Sequence, residues 1–149
     1  QRQMCIRDSP HTAVLDICKW GADDGDQKMK SRYYPHIDKA KVFGDHYVRD
    51  FSEHSRGVAV DVSLLYAKTG KPVDMGGHHD LLDPSSTTDS TLVTPSQRRN
   101  RMILKTAFEK QGFANYAPEW WHYRLLNEPE PTLHYYFPVW DGMTSAGRP

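Results

Sequence analysis

The stretch "SEHSRGVAVDVSLLYA", Ser52 to Ala67, decides how this chain is to be read. From Gly57 onward, Val58, Val60, Val62 and Leu64 alternate with Ala59, Asp61 and Ser63, the period of two that a half-buried β-strand requires. Asp61 interrupts that pattern chemically, because a carboxylate taken out of water is costly unless something compensates it. A backbone group, an arginine such as Arg56, or a metal ion would each serve. His54, seven positions earlier, is on its own more often a structural histidine than a ligand.

Around this strand the remaining elements fall into place. "TGK" reads as a turn and "PVDM" as the second strand of a hairpin. Upstream, "PHTAVLDICKW" puts Ala13, Val14, Ile17 and Trp20 at helical spacing, so a short amphipathic helix starts near Pro10. A surface loop, "GADDGDQKMKSRYYP", separates it from a short helix around "HIDKAKVF". Downstream, "GGHHDLLDPSSTTDSTLV" reads as a long loop of the kind that borders binding sites. In "TPSQRRNRMILKTAFEKQG", Thr94 is the N-cap, Pro95 opens the helix, Gln97 completes a capping box and Gly112 stops it. Three aromatic-rich runs follow, "FANY", "EWWHYRLL" and "LHYYFPV", and read as strands. Together these predict a single-domain α+β fold, an antiparallel β-sheet packed against α-helices.

Composition narrows the function. At 149 residues the chain supports one domain with its own core. Lys plus Arg and Asp plus Glu number 19 each, leaving no surplus positive charge for nucleic acid. No window approaches the roughly 20 consecutive apolar residues of a membrane span. Cys5 and Cys18 are too few for a disulfide framework, so any zinc must be held by histidine and carboxylate.

A second group of candidate ligands lies in "EWWH", where Glu119 and His122 stand three apart. A regular strand would send them to opposite faces, so a bulge or turn must intervene if they share a site. His54, Asp61 and His122 then supply two imidazoles and a carboxylate, a set that catalytic zinc accepts while keeping one position open. Glu119 is left over as a base for water.

The two motifs in this order, S-x-H-x-x-G-x-A-x-D in "SEHSRGVAVD" and E-x-W-H in "EWWH", resemble the zinc D-Ala-D-Ala peptidases, which share their fold with the hedgehog signalling domain. Within that group "HSRG", "DMGGHHD", "TPSQRRNR" and "GFANYAPEWWHY" are most similar to the D-alanyl-D-alanine dipeptidases, a class associated with vancomycin resistance and dipeptide recycling. The similarity runs from about Pro10 to Val139. It implies one Zn²⁺ per chain on His54, Asp61 and His122, with Glu119 as general base. It further implies that Asp80 receives the free ammonium of a small dipeptide substrate and that Ser52 lines the cleft. A bacterial cytoplasmic setting follows, or a periplasmic one if a signal peptide precedes. The same zinc motif would also suit a D,D-carboxypeptidase or endopeptidase acting on peptidoglycan peptides, or a non-catalytic zinc-stabilised binding module. Asp80 reads equally well as a loop-capping residue.

The chain departs from the family pattern in two places. His78 and His79 stand where an aromatic residue commonly precedes the Asp. The family's Y-R-P triplet, whose arginine stabilises the oxyanion, is cut, since Pro10 matches its end while Ser9 occupies the arginine's place and Arg7 lies two positions off. Residues 1–9, "QRQMCIRDS", follow no helical or strand period and resemble translated sequencing-adapter read-through. Residues 10–149 are then expected to be the C-terminal portion of a catalytic domain that binds zinc but turns over poorly. His36, His46, His78, His79 and His134 are assigned surface or hydrogen-bonded roles, and Trp120, Trp121, Tyr135, Tyr136 and Phe137 to packing.

Overall fold

In the computed structural model, which describes residues 2–7 (backbone only), 10–42 and 52–136, four strands form one antiparallel sheet. They are β1 (Arg2–Arg7), β2 (Ala59–Leu65), β3 (Phe113–Asn115) and β4 (His122–Leu125), in spatial order β1-β2-β4-β3. Alternation along β2 sorts its side chains onto two faces. Val60, Val62 and Leu64 face the core with Val73, Met75, Leu104, Trp120, Trp121 and Tyr123. Asp61 and Ser63 project to the other face and are also buried.

Helix α1 (His11–Ala22) precedes two single turns, α2 (Lys30–Tyr33) and α3 (Lys39–Lys41). α4 (Pro95–Glu109) is the long helix, and its start follows the sequence reading. Gln97 N–H donates to Thr94 Oγ1 at 3.3 Å while Thr94 N–H donates to Gln97 Oε1 at 2.8 Å. The helix meets the sheet through Leu104 and Phe108, whose ring stacks on Tyr123 at 4.5 Å. No helix among the described residues is long and apolar enough to cross a membrane.

Several expectations shift. Arg2–Arg7 forms a strand although its sequence carries no period, because edge pairing with β2 is made by backbone groups, which do not require side-chain alternation. The hairpin after β2 shrinks to a bridge between Leu65 and Pro72, beyond which Val73 N–H reaches Leu64 O. Proline has no N–H to extend a ladder. α2 is a helical turn within the segment read as a loop. Leu133–Tyr136 is not a strand, and Tyr135 and Tyr136 are 48% and 64% exposed, so aromatic content there reflects surface contacts and not core packing. Trp120 and Trp121 are core residues as expected. Phe137–Val139 and His46 lie outside the described residues.

Candidate functional site

Two of the proposed ligands face each other because of sheet register. Asp61 on β2 and His122 on β4 are cross-strand partners, and Val62 N–H donates to Trp121 O at 2.9 Å beside them. His54 arrives from the single 3₁₀ turn His54–Arg56 just before β2. Gly57 ends that turn at φ 70°, a left-handed conformation that glycine adopts without steric cost. His54 Nε2 lies 3.0 Å from His122 Nδ1 and 3.4 Å from Asp61 Oδ1, and His122 Nδ1 lies 3.2 Å from Asp61 Oδ1.

Those separations suit one small cation. Nitrogen ligands stand about 2.0–2.1 Å from zinc, and a tetrahedral arrangement then spaces ligand atoms about 3.3 Å apart. Asp61 Oδ1 supports the fit, since it is buried without a hydrogen bond while two imidazole nitrogens face it. Arg56, considered as the partner of Asp61, turns elsewhere: its guanidinium pairs with Glu128 at 2.5 and 3.0 Å.

A turn brings Glu119 to the same side as His122, as the sequence required. His122 N–H donates to Glu119 O and Glu119 N–H to Tyr116 O. Asn115 braces the turn by donating to the carbonyls of Glu119 and His122 at 3.2 and 3.0 Å. Glu119 Oε2 consequently lies 3.7 Å from His122 Nδ1.

Electrostatics divide the acids. Burial acts to raise the Asp61 pKa, but the imidazoles of His122 and His54 outweigh it and hold the carboxyl well below its usual range. Glu119 is pushed up to about 8, chiefly by burial, with His122 opposing and the carboxylates of Asp61 and Asp80 adding to the rise. That last effect places Asp80 within electrostatic reach of Glu119. His122 is pushed up to about 9: burial works against its charge, but Asp61 and then Glu53 prevail.

Ser52 sits beneath the His54 turn, its Oγ accepting from His54 N–H at 3.2 Å. Asp80 adopts φ 62°, the one positive φ outside glycine among the described residues. Its loop opens at Gly76, where φ is 80° and a Cβ would meet Val93 at 2.9 Å. Arg7 is the register partner of Asp61, although its side chain lies outside the description.

Supporting residues escaped the sequence reading. Glu53 Oε2 faces His122 Nε2 at 3.8 Å, the nitrogen turned away from the ligand cluster. Ser55 Oγ donates to Ser52 O at 2.7 Å and contacts His134 Nδ1 at 2.9 Å. Arg101 is fully buried on α4. Its signal was available, since position 101 shares the helical face of Leu104 and Phe108, where an apolar residue is expected.

Known proteins share this arrangement of sequence. The chain is 42% identical over 130 residues to a D-alanyl-D-alanine dipeptidase of Streptomyces coelicolor, a match covering 87% of this chain and 64% of that protein. Dipeptidases of the same name from Enterococcus faecalis and Enterococcus faecium are 36% and 37% identical over the same shares. The chain thus spans 64% of the length of these relatives. The family model for D-Ala-D-Ala dipeptidase matches residues 3–140, nearly the whole chain, and the chain belongs to that family.

Proposed function

We propose that this chain carries the zinc centre of a dipeptidase that hydrolyses D-alanyl-D-alanine or a closely similar dipeptide. The observation that carries the reading is the convergence of His54 Nε2, His122 Nδ1 and Asp61 Oδ1 within 3.4 Å of one another, with Glu119 3.7 Å from His122. His54, Asp61 and His122 would hold the ion, which when bound supplies a Lewis acid for the scissile carbonyl and for water. Glu119 takes the proton from the attacking water and returns it to the leaving amine. Asp80 faces the substrate's ammonium, a fixed anion that disfavours longer chains because their nitrogen at that point is an uncharged amide.

Metal content and D-Ala-D-Ala cleavage, measured together, test this. Glu119→Ala should keep its zinc and lose about 10²- to 10⁴-fold in rate. Asp80→Ala should damage cleavage of the free dipeptide far more than cleavage of an N-acetylated one. Equal damage to both substrates would favour the D,D-carboxypeptidase reading, and a zinc content near zero in the unaltered chain would sink the metal centre altogether.

A further inference from the structure

The loop that carries Asp80 is held at both ends by one residue of a different element. Arg101 is fully buried on α4, where Nε and Nη1 of its guanidinium donate to backbone carbonyls and Nη2 is buried without a hydrogen bond. Nε donates to Met75 O at 2.6 Å, and Nη1 donates to Ser85 O at 2.7 Å and Thr87 O at 2.9 Å. Met75 stands immediately before the loop, and Ser85 and Thr87 stand one and three positions after Pro84. Burial lowers the Arg101 pKa to about 10, with Asp74 opposing, which leaves the group cationic at neutral pH. A buried cation bonded to neutral oxygens is an expensive way to fill a core position that an apolar residue would fill readily. The geometry explains the choice: three divergent carbonyls call for a planar fork of donors, which lysine, as a point charge, cannot supply.

The clasp has something to hold. Asp80 sits at φ 62°, a conformation that persists where surrounding structure dictates it. Within the loop, Ser86 Oγ donates to Leu81 O and Leu82 N–H donates to Tyr33 O, both at 2.6 Å. Ser86 O in turn accepts from Trp120 N–H at 3.0 Å, next to Glu119. The segment between Met75 and Thr87 is thereby joined to the turn that presents Glu119 and His122.

We propose that Arg101 is a positioning residue for the amino end of the substrate, clasping both ends of the Asp80 loop so that this carboxylate stands at a fixed place relative to the metal ligands. The proposal rests on the reading of Asp80 as the ammonium receptor. Zinc affinity and D-Ala-D-Ala affinity, measured in a Glu119→Ala background that prevents turnover, separate the two ideas. Arg101→Lys should leave zinc affinity unchanged and weaken the dipeptide about ten- to a hundredfold, as misplacement of one contact group does. Adding it to Asp80→Ala should weaken the dipeptide no further. Loss of zinc and dipeptide affinity in equal measure would assign Arg101 to general stability and overturn the proposal. If Asp80→Ala weakens the dipeptide while Arg101→Lys does not, the proposal alone falls; if Asp80→Ala has no effect, the receptor reading falls and takes it along. Should Arg101→Lys fail to fold, hydrogen exchange on the unaltered chain decides. The amides of Leu82 and Ser86 should exchange with the protection of Leu104 in α4, and independent fast exchange of the loop would overturn the clasp.

Discussion

Asp61 and His122 are register partners across β2 and β4, and Oδ1 of the first lies 3.2 Å from Nδ1 of the second. Antiparallel pairing therefore does what a flexible loop could not: it sets two ligand atoms at metal-sharing distance through backbone hydrogen bonds alone. His54 completes the set from a turn only a few residues upstream of the same strand.

Metal should stabilise the folded chain measurably. At a zinc concentration a hundred times Kd, the gain is about 2.7 kcal/mol, equivalent to roughly 5–10 °C in Tm for a chain of this size. A thermal melt with chelator and with added zinc should show that difference, and His122→Ala should melt at the same temperature under both conditions.

Arg56 and Glu128 tie the His54 turn to the segment after β4 by a two-pronged pair whose side chains are each 15% exposed. Exposure is low enough for limited screening, and a double-mutant cycle of Arg56→Ala and Glu128→Ala in urea should give a coupling of about 1–3 kcal/mol. Zinc affinity should fall in either single variant, since the turn that presents His54 loses its anchor. A coupling near zero would mark the pair as incidental.

Asp83 gives the fold a pH dependence of predictable sign. Burial acts to raise its pKa, but the hydrogen bonds from Ser85 and His36 outweigh it and lower the value below 3.8. A carboxyl depressed on folding contributes stability that is present above its unfolded pKa and lost as pH falls through the folded one. The stability advantage of the unaltered chain over Asp83→Asn should thus be present at about pH 5 and shrink steadily below pH 4 or so, read from urea midpoints. A constant difference down to the acid limit would contradict this.

Ser9 stands where the family resemblance implies an oxyanion-stabilising arginine, at a position outside the described residues. Supplying that group with Asp8→Tyr and Ser9→Arg should raise kcat for D-Ala-D-Ala by roughly 10²- to 10³-fold. Zinc content should not change. Absence of any gain in steady-state assays would count against the assignment of position 9 to that arginine.

How much could be read from the sequence follows from what each interaction depends on. β2 was legible because alternation of Val60, Val62 and Leu64 records two faces, and α4 because Thr94, Pro95 and Gln97 record its first turn. His54, Asp61, Glu119 and His122 stood out as chemically awkward residues in apolar surroundings, and family motifs gave them an order. Arg101 was missed because its partners are carbonyls, which every residue carries, and only its place on the apolar face of α4 with Leu104 and Phe108 marked it. Arg56 was matched to the wrong acid, since Glu128 lies 72 positions away and nothing periodic links the two. Tyr135 and Tyr136 misled in the opposite direction: aromatic content raises β propensity only where a pleated surface exists to pack against.

The separation of 61 positions from Asp61 to His122 has a consequence for how the molecule comes into being. A nascent chain exposes His54 and Asp61 long before His122 is synthesised, and β2 must wait for its partner while the Asp80 loop and α4 emerge. Such long-range pairing makes closure of the sheet slow compared with formation of α4. The cation is therefore expected to join a nearly finished protein, as a late seal on the fold.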